Sequence, residues 1–294
     1  MRITNSIMQR SALAAIQLGL RRLNDAQTQV TTGKRIQKAS DNPVAASEIM
    51  TTSASLDAID QYKRNIDAAK SRATTEEGVL DKLSDALSRA KELGVGQGGA
   101  DATAQTRRIA KAEVDQLLQF VVGLGNTKMG DEYLFGGKYA GRPPIVAGAP
   151  YYDAAYPPSG TRDVEISAGQ FLDANHDGMQ VFVDTKAIES LQDLSNALGN
   201  NDQAAIAAAL TKLDGSFDGV QALIGDVGAR VNQMQVMGAN LDALKVNLQT
   251  FKSDLEDVDL EKAVTELVGR QTAYQAALLA TSRVSGMTLT DYLR

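Results

Sequence analysis

One stretch of the sequence has residue types and a spacing that could bind a metal ion. It contains Asp173, Asn175, Asp177, Gly178 and, at the twelfth position of the pattern, Asp184. Calcium loops use this order, with oxygen ligands at alternate positions, a Gly at the sharp turn and a closing carboxylate. However, the closing residue is Asp where Glu usually binds through both oxygens, and the flanks have strand patterns. An Asn-His-Asp-Gly hairpin turn explains the same residues. We therefore expect no metal and no other cofactor, and we keep a weak calcium site as an alternative.

The residue types of most catalytic sites are absent or isolated. The chain has 294 residues with no Cys, no Trp and a single His, His176. Without Cys there are no disulfides, thiol nucleophiles or cysteine zinc sites, and we expect His176 to be a solvated loop side chain. The string Gly94-x-Gly96-x-x-Gly99 matches a dinucleotide fingerprint, but it ends a predicted helix instead of joining a strand to one. The sequence thus predicts that the protein is not an enzyme.

Charge and hydropathy exclude two further classes of partner. The net charge is −6, yet residues 1–40 hold seven Lys and Arg residues against one acidic residue. These cations are scattered and have no aromatic residues between them for base stacking, so we expect no nucleic-acid binding. No run of about 18 apolar residues predicts membrane insertion. The first residues lack the apolar core of a cleaved signal peptide.

Composition divides the chain into helical arms and an insert. Residues 133–190 hold five of the six prolines and alternating apolar residues at 163–166 and 179–183, which predict strands. The flanking regions have the apolar spacing of helices. We therefore predict a mainly α fold, in which N- and C-terminal arms form a long antiparallel helical bundle with a small β-rich domain inserted between them.

The helical arms predict a discontinuous bundle made of residues 41–132 and 191–255. Apolar residues recur every three or four positions across 210–255, which predicts one helix of about 45 residues, or about 65–70 Å. So long an amphipathic helix needs partners along its length. The helices of the first arm are the available partners, and residues 133–190 would face outward.

Two terminal helices, at 1–40 and 256–294, remain outside this bundle. Each has a modest apolar stripe, so each is marginal alone in water. They must pair with each other, pair between molecules, or stay disordered until assembly. We predict that they form an assembly interface through Leu13, Ile16, Leu20, Leu23, Val30, Leu260, Val264, Leu267, Tyr274 and Leu278.

The linker after the first helix carries a family motif. It runs Thr32-Gly33-Lys34-Arg35-Ile36 and then Ser40-Asp41-Asn42-Pro43-Val44-Ala45-Ala46-Ser47. Gly33 ends a helix, and the following motif reads as a cap with Pro at the first helical position. With Tyr133-Leu134-Phe135-Gly136-Gly137 and Val258-Asp259-Leu260, these residues resemble the bacterial flagellin superfamily, and within it the proteins of the hook–filament junction. Gly33, Arg35, Asp41, Asn42 and Pro43 are the signature positions.

The resemblance implies a structural subunit of the bacterial flagellum. Such a subunit is extracellular. It is exported unfolded by the flagellar type III export apparatus, with the help of an export chaperone and without a cleaved signal peptide. It would form a ring with copies of itself between the hook-side junction protein and flagellin. Two alternatives stay open: a flagellin that forms the filament, and a coiled-coil adhesin or ligand-binding module that uses the insert.

Overall fold

A computed structural model of the chain describes residues 2–99, 101–146 and 148–290, and in the terminal helices it describes the side chains of residue 7 and residues 10–283. The helices are α1 Arg2–Thr32, α2 Pro43–Gln97, α3 Ala104–Gly125, α4 Ala187–Gly199, α5 Gln203–Glu256 and α6 Leu260–Thr290. The strands are β1 Lys128–Met129, β2 Glu132–Tyr133, β3 Asp163–Ser167 and β4 Gln170–Asp173. The mainly helical fold with a small β insert is confirmed. Within the described residues, no helix is long and apolar enough to cross a membrane.

The chain divides into two compact units. The terminal unit consists of Met1–Asp57 and Leu244–Arg294, and the central unit is Ala58–Ala243. Helices α2 and α5 each contribute to both units, because each is more than 50 residues long. The terminal unit also contains α1 and α6, and the central unit contains α3, α4 and all four strands.

In the central unit, α2 and α5 run antiparallel in one register. Lys63 pairs with Asp242, and Lys91 Nζ lies 2.6 Å from Asp214 Oδ1. The residue numbers of the partners total 305 in both pairs, so the two helices keep the same offset between these points. Apolar residues spaced by three and four positions on α2 are buried: Leu80, Leu83, Leu87 and Ala90 are at most 1% exposed.

Helix α4 packs against α3 and closes the core of the central unit. Its apolar side chains repeat every three or four residues and face inward, together with one apolar stripe each of α3 and α5. The fully buried residues of this core include Val114, Val121, Leu191, Leu194, Leu198, Val220, Phe135 and Phe182. Phe135 and Phe182 meet edge to face, with ring centroids 5.3 Å apart, and so join the insert to this core.

The insert is less strand-rich than the sequence predicts. β1 pairs with β2 and β3 with β4, each as a separate antiparallel sheet. The strand predicted at 163–166 is confirmed as part of β3. The strand predicted at 179–183 is wrong, because Met179–Asp184 forms a π-helix. Val181 and Phe182 are both buried although they are adjacent, which no alternating strand allows. Asp177 Oδ1 accepts a hydrogen bond from the Gln180 backbone N–H at 2.8 Å, as a helix-capping residue does.

Glu132 connects the insert to α2 through two arginines. Its Oε2 accepts hydrogen bonds from Arg162 Nη1 at 2.6 Å and from Arg72 Nη2 at 2.8 Å. The hydrogen bond and charge of Arg162, assisted by Arg72, hold the pKa of Glu132 below its usual range. The ionised carboxylate is therefore the form that stabilises the fold.

We predict a small, pH-dependent loss of stability in Glu132→Gln. At pH 7 its free energy of unfolding should fall by at most about 1 kcal/mol, since the ion pairs are partly exposed. The depressed pKa means that the wild-type advantage is present above the ordinary Glu pKa of about 4.3 and disappears as pH falls through the folded-state value. Urea unfolding at neutral and acid pH measures this. Glu48→Gln, on the exposed surface of α2, is the control, and an advantage that survives at acid pH would contradict the assignment.

Candidate assembly surface of the terminal helices

Helices α1 and α6 pack against each other in the terminal unit. A β-carbon at Gly19 would lie 3.4 Å from Cδ2 of Tyr274, so the ring of Tyr274 rests against the backbone of α1. Of the arrangements left open by the sequence, the structure thus has the two helices paired within one chain.

This pairing buries none of the ten predicted interface side chains completely. Ile16, Leu23, Val30, Leu267 and Tyr274 are half-buried. The other five are exposed by 42–57%, and they are Leu13, Leu20, Leu260, Val264 and Leu278. A pair of helices covers only the stripe along which the two meet, so apolar side chains beside that stripe stay in contact with water.

The terminal unit has further exposed apolar residues that were not predicted from the sequence. They include Ile7, Leu18, Val44, Met50, Val246, Phe251, Val268 and Leu279, all at least 45% exposed. Sequence reasoning assigned the apolar stripe near Phe251 to a closed bundle and so missed it. Single exposed apolar residues are ordinary on protein surfaces, whereas many within one small unit indicate an interaction surface.

The signature residues Gly33 and Arg35 shape the linker between α1 and α2. Gly33 follows the last residue of α1 with a φ of 69°, a conformation that favours glycine. The Arg35 guanidinium donates a hydrogen bond from Nη2 to the backbone oxygen of Leu255 at 2.9 Å. Leu255 lies in the last turn of α5, where carbonyl oxygens lack helical partners. Arg35 therefore acts as a C-terminal cap for a helix that is distant in sequence.

The remaining signature residues, Asp41, Asn42 and Pro43, begin α2. Asp41 Oδ2 accepts hydrogen bonds from the backbone N–H groups of Gln37 at 3.2 Å and Lys38 at 3.0 Å. Asn42 Oδ1 accepts one from the backbone of the residue three positions later at 3.2 Å, as an N-cap does. Pro43 is the first helical residue, where its missing N–H costs nothing.

Two residues of the possible calcium loop, Asp177 and Asn175, have other hydrogen-bond partners. Asp177 Oδ2 accepts a hydrogen bond from the Gly160 backbone N–H at 2.8 Å, and its other oxygen caps the π-helix. Asn175 donates from Nδ2 to the backbone oxygens of Leu134 and His176. Asp173 ends β4, and Asp184 ends the π-helix and is exposed. Within the part of the chain that the structure describes, no three His, Asp or Glu side chains are grouped as metal ligands require.

His176 is buried, so the expectation of a solvated loop side chain is wrong. Its Nδ1 lies 2.6 Å from Oε1 of Glu76, a fully buried residue of α2. Its Nε2 lies 3.1 Å from Asp226 Oδ2 and 2.8 Å from Arg230 Nη2, both on α5. The backbone N–H of His176 also donates to Glu76 Oε1. The imidazole thus joins the insert to both long helices of the central unit.

Comparison with known proteins agrees with this architecture. The N-terminal helical region of bacterial flagellin matches residues 3–140, and the C-terminal helical region matches residues 210–293. Flagellar hook-associated protein 3 of Escherichia coli is 24% identical, over 89% of this chain and 90% of its own length. A flagellin of Halalkalibacterium halodurans is also 24% identical, over 92% of this chain and 91% of its own. The crystal structure of FlgL from Bacillus cereus is 26% identical with a TM-score of 0.60, and covers 69% of this chain and 99% of that one.

Both helical regions of the flagellin family are therefore present at the two ends of one chain, and they enclose the insert. The chain belongs to the bacterial flagellin family, as the signature residues predicted.

We predict that His176→Ala destabilises the central unit by roughly 2–4 kcal/mol. The change removes the side-chain partner of a fully buried carboxylate, which keeps only the backbone N–H of residue 176 and so bears a larger uncompensated desolvation cost. Urea unfolding at neutral pH measures the loss. Gln170→Ala, at an exposed position of β4, is the matched control and should change stability by less than about 0.5 kcal/mol. Equal stabilities of the two variants would rule out the structural role of His176.

A calcium titration tests the remaining metal alternative. Because both carboxylate oxygens of Asp177 accept backbone hydrogen bonds, we expect calorimetry with calcium chloride to give no saturable heat. A one-to-one isotherm that disappears in Asp184→Asn would restore the calcium site.

Proposed function

We propose that this chain is a structural, non-enzymatic subunit of the bacterial flagellum that forms a ring at the junction between hook and filament. The ring would contain copies of this chain, bound to the hook-side junction protein on one side and to flagellin on the other. Its location is extracellular, after export by the flagellar type III apparatus with an export chaperone and without a cleaved signal.

The main support for this proposal is the set of exposed apolar side chains in the terminal unit. Residues such as Leu13, Leu20 and Leu278 remain in water in the isolated chain. Packing between copies would bury them, at about 25 cal/mol for each Å² of apolar surface removed from water. Two paired helices without further cover are marginal in water. The helices would therefore become stable as neighbouring subunits dock, with assembly offsetting the loss of chain entropy.

Similarity to named proteins favours the junction over the filament. The Bacillus cereus structure named FlgL and the Escherichia coli hook-associated protein 3 both match along nearly their whole length. The flagellin of Halalkalibacterium halodurans is similar enough to keep a filament subunit as the second candidate. The two candidates differ in self-assembly: a filament protein polymerises alone into long fibres, whereas a junction subunit needs its neighbours.

Deletion of the gene in the source bacterium tests the proposed function. A missing junction ring should leave hooks without filaments, while flagellin is exported into the medium. Electron microscopy of the cells and immunoblots of the medium score both results. Normal filaments in the deletion strain would refute the junction role, and intact hooks with no exported flagellin would indicate a different step.

We predict that Leu13→Ser with Leu20→Ser abolishes assembly without unfolding the protein. Both side chains are exposed, so the unfolding free energy of the monomer should change by less than about 0.5 kcal/mol per site. Complementation of the deletion strain, scored as swimming motility, measures assembly. The matched control is Val95→Ser with Ile109→Ser, two exposed apolar residues of the central unit, which should restore motility. Motile cells with the Leu13 and Leu20 variant would remove these residues from the interface.

A further inference from the structure

In the terminal unit, the linker after α1 and the linker before α6 lie antiparallel and form hydrogen bonds with each other. We call residues 33–35 and 255–258 the linker clasp. At its centre, Lys34 and Asp257 form an isolated antiparallel β-bridge. The Lys34 ammonium also pairs with the carboxylate of Glu256, which is 13% exposed. The clasp therefore joins the segment that follows α1 to the segment that precedes α6.

Backbone hydrogen bonds make the clasp specific for one alignment. The N–H of Val258 donates to the oxygen of Gly33 at 2.9 Å, and the N–H of Arg35 donates to the oxygen of Glu256 at 2.7 Å. The guanidinium of Arg35 adds the bond to Leu255 described above. A shift of either linker by one residue would misalign the donors and acceptors of the two backbone bonds and break both.

Four apolar residues in the described part of the terminal unit are buried. Ala26 of α1, Ile36 of the first linker, Ala45 of α2 and Ala263 of α6 are each at most 8% exposed. Exposed apolar side chains occur both close to the clasp, at Leu260 and Val264, and farther away, at Leu13 and Leu278. The terminal helices thus combine a few buried residues with apolar side chains that stay exposed along their length.

The register at the clasp continues along the paired helices. In an antiparallel pair, the residue numbers of opposite residues add up to a constant while the register is kept. This total is 291 for Lys34 with Asp257 and 293 for Gly19 with Tyr274. The stripes of α1 and α6 are spaced by three and four residues, so helical packing alone would tolerate a slip of one turn. A slip of four residues would move one helix by about 6 Å against the other. It would also change which apolar side chains the pair offers to a neighbouring subunit.

We propose that Lys34 and Arg35 are positioning residues, which set the register of α1 against α6 so that the pair offers one defined apolar surface. The inference rests on the proposed assembly function, because it assigns the clasp a role in preparing that surface. It also gives the signature positions Gly33 and Arg35 a role that requires no contact with another subunit.

Engineered disulfides test the register directly, because the natural chain has no Cys. The native-register pair is Gly19→Cys with Tyr274→Cys. The slipped pairs combine Gly19→Cys with Arg270→Cys or with Leu278→Cys, each one turn away on α6. Each is introduced into the full chain with the natural clasp, and the cross-linked fraction is measured by non-reducing electrophoresis after mild oxidation. We expect the native pair to exceed each slipped pair at least about tenfold, which corresponds to about 1.4 kcal/mol.

The clasp is then weakened in two ways. Lys34→Gln with Arg35→Gln removes its side-chain bonds, and Val258→Pro removes one backbone donor. In both backgrounds we expect the native preference to fall to within about threefold, while the unfolding midpoint of the central unit is unchanged. The charge-matched control is Arg22→Gln with Lys38→Gln, exposed cations of the same unit, and it should keep the full preference.

The outcomes separate this proposal from the proposed function. A preference that is unchanged in both clasp variants would overturn the positioning role, whatever the protein assembles into. A lost preference in variants that still restore full motility would show that register is not needed for assembly, and would overturn the inference while leaving the junction role intact. A gene deletion without effect on filaments would refute the junction role, although the cross-linking result would still report on register.

Discussion

Two helices in water can bury only the stripe along which they meet, and the terminal unit is built on this constraint. α1 and α6 meet along a contact that includes Gly19 and Tyr274, and Leu13, Leu20, Leu260 and Val264 remain largely exposed beside it. The central unit has a closed apolar core, in which α2, α3, α4 and α5 bury leucines and valines such as Leu80, Val114, Leu191 and Val220. The same chain thus contains one unit with a closed apolar core and one whose terminal helices keep many apolar side chains exposed.

The sequence predicted best those features whose conformation is determined by neighbouring residues in the chain. Gly33 ends α1 because its backbone adopts a positive φ, and Asn42 with Pro43 begins α2 by capping geometry. The apolar period of α5 was also readable from the sequence, because a stripe spaced by three and four residues identifies a helix without knowledge of its partner. These features account for the long helices and for the position of the insert.

The insert was harder to predict because its residues bind partners that are distant in sequence. His176 is buried by Glu76, which lies 100 residues earlier, and by Asp226 and Arg230 on α5. No local pattern around an Asn-His-Asp-Gly segment indicates such partners. Asp177 was expected in a hairpin turn, with a calcium loop as the weaker alternative, but its carboxylate accepts a hydrogen bond from the backbone of Gln180, as a helix-capping residue does.

These observations support one account, in which a stable central unit carries a terminal unit whose apolar faces are completed by other subunits at one place in the flagellum. The most direct test of that account is the location of the chain on intact flagella. Gold-labelled antibodies raised against residues 133–190 should bind at a single band next to the hook when viewed by electron microscopy. Label distributed along the whole filament would contradict the junction role and would identify the chain as a filament subunit.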